Sequence, residues 1–194
     1  MTAGRALVLV VLASLAAIAG CMAAPPSVGH QAAHALLTAG IAAAAVVAAS
    51  FLLQAYRHHL LVNALKGLSR EATVAGEPVE LVRDLASPFV AGLWRPRIFC
   101  PDDLGSRLDP DELEAVILHE RHHRLERAPL WMAALSALAP VVCRAAPGRA
   151  WLEREGARLE IAADRYAIAA GGQRPALASA LLKLSPAGSP VLAA

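Results

Sequence analysis

No charged residue interrupts the chain between Ala6 and Gly29, and the stretch ALVLVVLASLAAIAGCMAA inside it is about long enough to cross a bilayer. A second uncharged run, AHALLTAGIAAAAVVAASFLLQAY from Ala33 to Tyr56, is longer still. Neither run shows a polar face, and both exceed what a core helix of a small domain needs. Residues 1–29 and 30–57 are therefore expected to form two transmembrane helices. The first run carries a second reading: a charged start at Arg5 and the small-residue ending IAGC also resemble a lipoprotein signal, with Cys21 as the acylated residue. The cations around the runs set an orientation. Arg5 precedes the first run, the turn at Pro25 and Pro26 carries none, and Arg57, Lys66 and Arg70 follow the second, with His58 and His59. By the positive-inside rule both ends face the cytoplasm, which places residues after 57 there.

Beyond residue 57 the pattern changes to short elements. NALKGLSREATVAG reads as a fraying helix end and a polar connector, and EPVELVRD as a short strand. SPFVAGLWRPRIFCPDDL alternates apolar pieces with Pro88, Gly92, Pro96 and Pro101, which predicts an edge strand or bent hairpin rather than a central strand. RLDPDELEAVILHERHH opens a helix: Asp109 is a good N-cap, Pro110 suits the first turn, and Glu112 is a capping-box partner. That helix should run to about Arg127, because Pro129 would disrupt a turn that contained it.

The uncharged run from Ala128 to Cys143 is short for a span. It reads as a tilted membrane segment, a re-entrant piece, or a buried helix pair broken at Pro140. GRAWLEREGARLEIAADRYAIAAGG is a further helix, stopped by Gly171 and Gly172. RPALASALLKL reads as a short amphipathic helix, and residues 186–194 are expected to form a flexible tail.

Composition narrows the function classes. The chain has 194 residues, 57% of them hydrophobic but only 4% aromatic. A net charge of +2 with no Lys/Arg block gives no argument for nucleic acid. Cys21, Cys100 and Cys143 are an odd number at wide spacing, which fits neither a disulfide framework nor a thiolate zinc site.

The candidate chemistry lies in VILHERHHRLER. His119 and His123 are four apart, so on a helix their imidazoles project from one face a turn apart and can share one metal ion. Glu120 follows the first histidine, offset by about 100°, where it can face a water at an open metal position. This is the H-E-x-x-H arrangement of two neutral nitrogen ligands and a carboxylate base. The pair His30 and His34 has the same spacing but no glutamate after His30 and no helix cap before it. The alternative for HERHHRLER is a solvated face in which Glu120, Arg121, Arg124, Glu126 and Arg127 pair loosely. A second helix argues against that alternative. A hydrolytic zinc site needs a third protein ligand and an open fourth position. LEIAAD supplies Glu160 as that ligand, with Asp164 four residues on to accept the free N–H of a ligand histidine. The expected cofactor is one zinc per chain. Tyr166, His122 and Arg165 are candidates for a donor to the oxyanion.

HERHH followed by LEIAAD, with two apolar N-terminal runs and SPFVAGLWRPRIFCP before the capped helix, resembles the membrane metallopeptidases of the BlaR/MecR antirepressor type. These are gluzincins related more distantly to the HtpX and CAAX prenyl protease group. The resemblance covers about residues 30–185 and rests most specifically on H-E-x-x-H, the E-x-x-x-D helix, and the Gly-x-x-Arg-Pro hairpin of Gly92 to Pro96. It implies a mainly α fold with a small β hairpin: two transmembrane helices, then a minimal zincin-like metallopeptidase domain at 58–185. It implies a multi-pass protein of the bacterial cell membrane, with membrane lipid around its helices and a protein or peptide as substrate. In that family's pattern His119, His123 and Glu160 match the zinc ligands, Glu120 the catalytic base and Asp164 the acid behind a ligand. The hairpin, through its Trp94 to Cys100 edge, would pair with extended substrate. Trp94 and Phe99 are more simply read as core or interface residues. The family implies a transcriptional repressor as a candidate substrate. Two departures stand out. Ala128 occupies a position, five after the second histidine, where the family commonly has aspartate. No S-x-x-K and no penicillin-binding domain follow, so the chain is not expected to sense β-lactams itself. The competing expectation is an inactive membrane adaptor that keeps the fold.

Overall fold

In the computed structural model the described residues are 28–144 and 146–184. The first membrane helix expected at 1–29, with the lipoprotein reading of Cys21, lies outside them but for its last two residues, and so does the tail at 186–194. A division between Ser50 and Phe51 separates two compact units. The first unit contains the opening part of helix α1 (Val28–Leu68), and the second contains its remainder. Ala32–Leu68 is the one described helix that is by itself long and apolar enough to cross a membrane, with a window of mean hydropathy 2.3 and none of it buried. The predicted domain boundary at residue 57 therefore falls inside a helix.

From Phe51 onward α1 has a half-buried stripe at Phe51, Ala55, His58, Val62 and Leu65, spaced as one helix face. Leu52, Leu53, Tyr56, Leu60 and Leu61 remain exposed around it. Beyond Leu68 the polar connector expected at 63–76 is corrected. Arg70–Val74 is a strand, β1, paired antiparallel with β2 (Glu77–Val82). Ala75 and Gly76 make the two-residue turn between them with φ of 47° and 78°. Positive φ at both positions is what a type I′ hairpin requires. The strand was hard to read because only Ala72 and Val74 of REATV face the core, and both are small or half-buried.

Strands β3 (Phe89–Ala91) and β4 (Arg97–Pro101) form the expected hairpin. The sheet order is β1-β2-β4-β3, with β4 parallel to β2 and antiparallel to β3. β4 is thus an inner strand, and the expected edge at Trp94–Cys100 is corrected to β3. The prolines permit this because Pro96 precedes β4 and Pro101 is its last residue. Gly92 makes the turn possible: its φ is +104°, and a Cβ there would sit 2.7 Å from the Arg95 carbonyl oxygen.

Strand alternation sorts the sheet into two faces. Val79, Ile98 and Cys100 face the main core, together with Leu104 of the short helix α2 (Leu104–Arg107) and Leu108. Val116 and Ile117 of α3 (Pro110–Leu125) close over them, with Ala167 of α5 (Ala146–Ala169) and Leu177, Ala180 and Leu184 of α6 (Arg174–Leu184). Val82, Ala91 and Phe99 face the other way, onto Val62 and Leu65 of α1. Phe99 stacks on Phe89 at 5.8 Å and is fully buried, whereas Trp94 is 67% exposed in the hairpin turn and belongs to no core. Removing a buried aromatic such as Phe99 typically costs about 3–5 kcal/mol.

The predicted caps hold. The Asp109–Glu112 capping box is formed, with the Asp109 N–H donating to Glu112 at 2.9 Å. Glu112 also accepts from Ser179 at 2.6 Å and Lys183 at 2.7 Å, tying the start of α3 to α6. Helix α3 ends at Leu125, and Arg127, at φ 53°, opens α4 (Ala128–Val142). The bend between the two helices is 62° and falls here; of the three readings of Ala128 to Cys143, the helix pair broken at Pro140 is corrected, because α4 continues through that residue. Ala128, Pro129, Ala133 and Ala137 form the buried side of α4, and Met132 stays exposed. At the end of α5, Gly171 has φ +121°, and the Gly172 N–H donates back to Ala167 at 2.9 Å.

Candidate metal centre

The capped start of α3 fixes which of its residues turn inward. Ala115, Val116, Ile117 and Leu118 are buried, and His119 and Glu120 continue that run at 6% and 9% exposure. Arg121 and Arg124 do not form a loose solvated face. Both pair with Glu77 at the start of β2, Arg121 at 3.1 Å, which clamps the histidine turn of α3 to the sheet.

Helix α5 crosses this turn on a stripe of small residues. Ala163 and Ala167 are fully buried against α3, and short side chains let the two helices approach closely. Glu160 and Asp164 share that stripe at helical spacing, so they reach the histidines. His119 Nε2 lies 3.0 Å from His123 Nε2, and Glu160 Oε2 lies 3.6 Å from each. These donor atoms sit within 4.8 Å of one another. Asp164 Oδ1 approaches the other nitrogen of His119, Nδ1, at 3.0 Å. Both of those atoms are cut off from solvent, and the contact lacks the alignment of a full hydrogen bond.

This donor set fits a zinc-type ion. Two imidazole nitrogens with lone pairs facing at hydrogen-bond distance repel unless a proton or a cation lies between them. Ligand atoms around tetrahedral zinc are about 3.3 Å apart, in the range the three atoms span. Their protonation balance reflects the same crowding. Burial acts against charge on His119, but Glu160, Glu120 and Asp164 outweigh it and raise its pKa. The imidazoles of His119 and His123 hold Glu160 well below the usual carboxylate range. Burial pushes Glu120 up, and Glu160 adds to this against the pull of the two histidines. Burial, with the charge of Glu120, pushes the Cys100 thiol up to about 12, so it stays a neutral core group.

A cleft of about 480 Å³ opens on the site, lined by His119, Glu120, His123 and Glu160 together with Ser87 to Val90 on and before β3. The structure thus brings together all five residues that sequence placed at the metal centre. It does not bring the three candidate oxyanion donors to the cleft. His122 packs on Tyr166 with ring centroids 5.0 Å apart, Arg165 is exposed, and none of the three lines the cavity. They lie on flanks of α3 and α5 turned away from it.

Sequence reasoning missed His58, which lines the cleft from α1. The signal was the stripe from Phe51 to Leu65, masked by the exposed Leu52, Leu53, Tyr56, Leu60 and Leu61 on other faces of the helix. It also missed Ser87, Phe89 and Met132 in the lining, and Ala128 lines the cavity where the family commonly has an aspartate. The family model described as BlaR1 peptidase M56 matches residues 25–193. No curated protein and no solved structure matches the chain.

Proposed function

The chain belongs to the BlaR1 peptidase M56 family, and on that premise we propose that it is a membrane-anchored, zinc-dependent endopeptidase acting on a protein substrate. The observation that carries this reading is the convergence of His119, His123 and Glu160 beside the buried carboxylate of Glu120. The three convergent residues would hold the ion. Zinc supplies, when bound, a Lewis acid that polarises a carbonyl and acidifies water.

The chain's own groups do the rest. Glu120, held in a desolvated position that favours its neutral form, has raised affinity for a proton. It can take a proton from the attacking water and return it to the leaving amine. Asp164 orients the His119 ring through Nδ1, leaving Nε2 to face the ion. Among the described residues strand β3 has no partner on its outer side, and Phe89 and Val90 line the cleft. An extended peptide can add to this edge, which presents its backbone rather than its side chains to the site.

The one apolar described helix supports a membrane anchor. Cytoplasmic orientation of the catalytic unit follows from the cations after the second apolar run, and a cytosolic transcriptional repressor is the substrate class that orientation admits. The inactive adaptor would need neither a desolvated Glu120 nor an open strand edge beside it, so the complete set favours the enzyme.

The test is cleavage of an unfolded protein such as casein by the purified full chain in detergent. Activity should disappear with a chelator and return with about one equivalent of zinc. A zinc-loaded chain that leaves every unfolded substrate intact would overturn the reading.

A further inference from the structure

Away from the metal-site histidines and glutamates, the described lining of the cleft is apolar except for His58 and Ser87, and it contains no lysine, arginine or aspartate. Helix α4 supplies a continuous piece of it through Ala128, Pro129 and Met132. A peptide held in the cleft therefore meets charge at the metal centre and hydrocarbon along this wall.

The bend after the histidine turn places the wall. Arg127, four residues after His123, has φ 53°, and α4 leaves α3 at 62°. Both helices then contact strand β3, the edge of the sheet on which a peptide can add. Ala128 and Met132 are four apart and so share one face of α4. Ala128 and Pro129 are buried, but Met132 is 44% exposed although it is large and apolar. Its thioether side chain lines the cleft with part of its surface left in water, which an apolar ligand group can cover.

We propose that Ala128, Pro129 and Met132 form a specificity subsite for one apolar side chain of the substrate peptide, with Met132 setting which side chains fit. The proposal rests on the peptidase reading above. In an extended peptide added to β3, every second side chain points to the same side. One of them faces the wall that α4 builds beside β3. An apolar side chain there covers Met132, whose unbranched chain adapts to aliphatic and aromatic shapes alike. An acidic side chain loses its hydration and finds no lysine or arginine in the lining to pair with. The substrate class is thus a peptide with leucine, methionine or phenylalanine at this position, and aspartate and glutamate are rejected.

The experiment uses the zinc-loaded full chain in detergent and peptides of one length that carry Leu, Phe, Ala or Glu at each position in turn around a cleaved bond. At one position, kcat/KM for Leu should exceed that for Ala by about tenfold or more, and that for Glu by a larger factor. Met132→Lys should lower the Leu rate at that position and raise the Glu rate by about fivefold, a gain that damage to the fold does not produce. Met132→Ala removes bulk and should move the optimum from Leu to Phe. Zinc content should match wild type in both variants. Dissociation constants of the same peptides for the Glu120→Gln chain should follow the wild-type order, which assigns the preference to binding. Where Met132→Lys fails to fold, Met132→Ala carries the test. Cleavage with no apolar preference at any position, the wild-type order kept in the Met132 variants, or an altered order that tracks zinc loss would overturn this proposal and leave the peptidase reading standing. A wild-type chain that cleaves none of the peptides fails the peptidase reading itself, and this proposal with it.

Discussion

Asp164 Oδ1 faces His119 Nδ1 across 3.0 Å, on the side of the ring opposite the nitrogen that meets His123. On the proposed reading, this carboxylate would leave the opposite nitrogen of His119 to face a metal. Replacing Asp164 with asparagine removes the charge but keeps the shape. Zinc affinity should fall by roughly 10–100-fold while the zinc-saturated enzyme keeps most of its turnover. Competition with a chromophoric chelator measures this, and unchanged affinity would separate Asp164 from the metal centre.

Glu112 predicts an acid limit to stability. Hydrogen bonds from Lys183 first, then Ser179 and the Asp109 N–H, lower its pKa to about 2 from 4.5. A folded-state pKa below the unfolded value means the unfolded chain takes up the proton first as pH falls. The stabilisation is therefore complete above about pH 4.5 and is lost on the way down to about pH 2. Glu112→Gln should lower Tm at pH 6 and narrow its gap to wild type through that window. A gap that stays constant with pH would show that the carboxylate's charge is not what ties α3 to α6.

Gly92 sets the position of β3. With φ +104° and 2.7 Å between its would-be Cβ and the Arg95 carbonyl, Gly92→Ala should destabilise the fold by about 1–3 kcal/mol. Because the hairpin carries the edge strand of the cleft, kcat/KM for peptide substrates should fall as well. Denaturant unfolding in detergent reports the first effect, and a variant as stable as wild type would contradict the turn geometry.

The metal centre was legible because its determinants are local. Asp109, Pro110 and Glu112 define where α3 begins, helical spacing then pairs His119 with His123, and the same spacing pairs Glu160 with Asp164. The sheet was less legible because its order is set by tertiary pairing. Nothing near Pro96 and Pro101 shows that β2 would pair parallel to β4 and make it an inner strand. β1 escaped notice because its inward residues are only alanine and valine. His58 escaped because exposed leucines on other faces of α1 hide which face meets protein. The clamp of Arg121 and Arg124 on Glu77 was invisible for a similar reason, since the partners are more than forty residues apart.

Topology is open to a direct check. A reporter fused after residue 70 should report the cytoplasm, and one inserted near Ser27 the outside, because cations follow the second apolar run and are absent from the turn before it. The reverse pattern would put the cleft outside the cytoplasm and remove a cytosolic repressor as substrate.

The central claim is that Glu120 moves the proton during peptide hydrolysis at a zinc ion held by its neighbours. Glu120→Gln is nearly isosteric and keeps the helix face, so fold and ligands should survive. Glutamine can neither accept the water's proton nor deliver one to the leaving nitrogen, and the loss of such acid–base assistance is typically about 10²–10⁴-fold. The decisive measurement is kcat for an unfolded substrate alongside zinc content in the same Glu120→Gln preparation. The account predicts one zinc per chain and turnover reduced by at least about 10²-fold. Cleavage at the wild-type rate with zinc in place would contradict it.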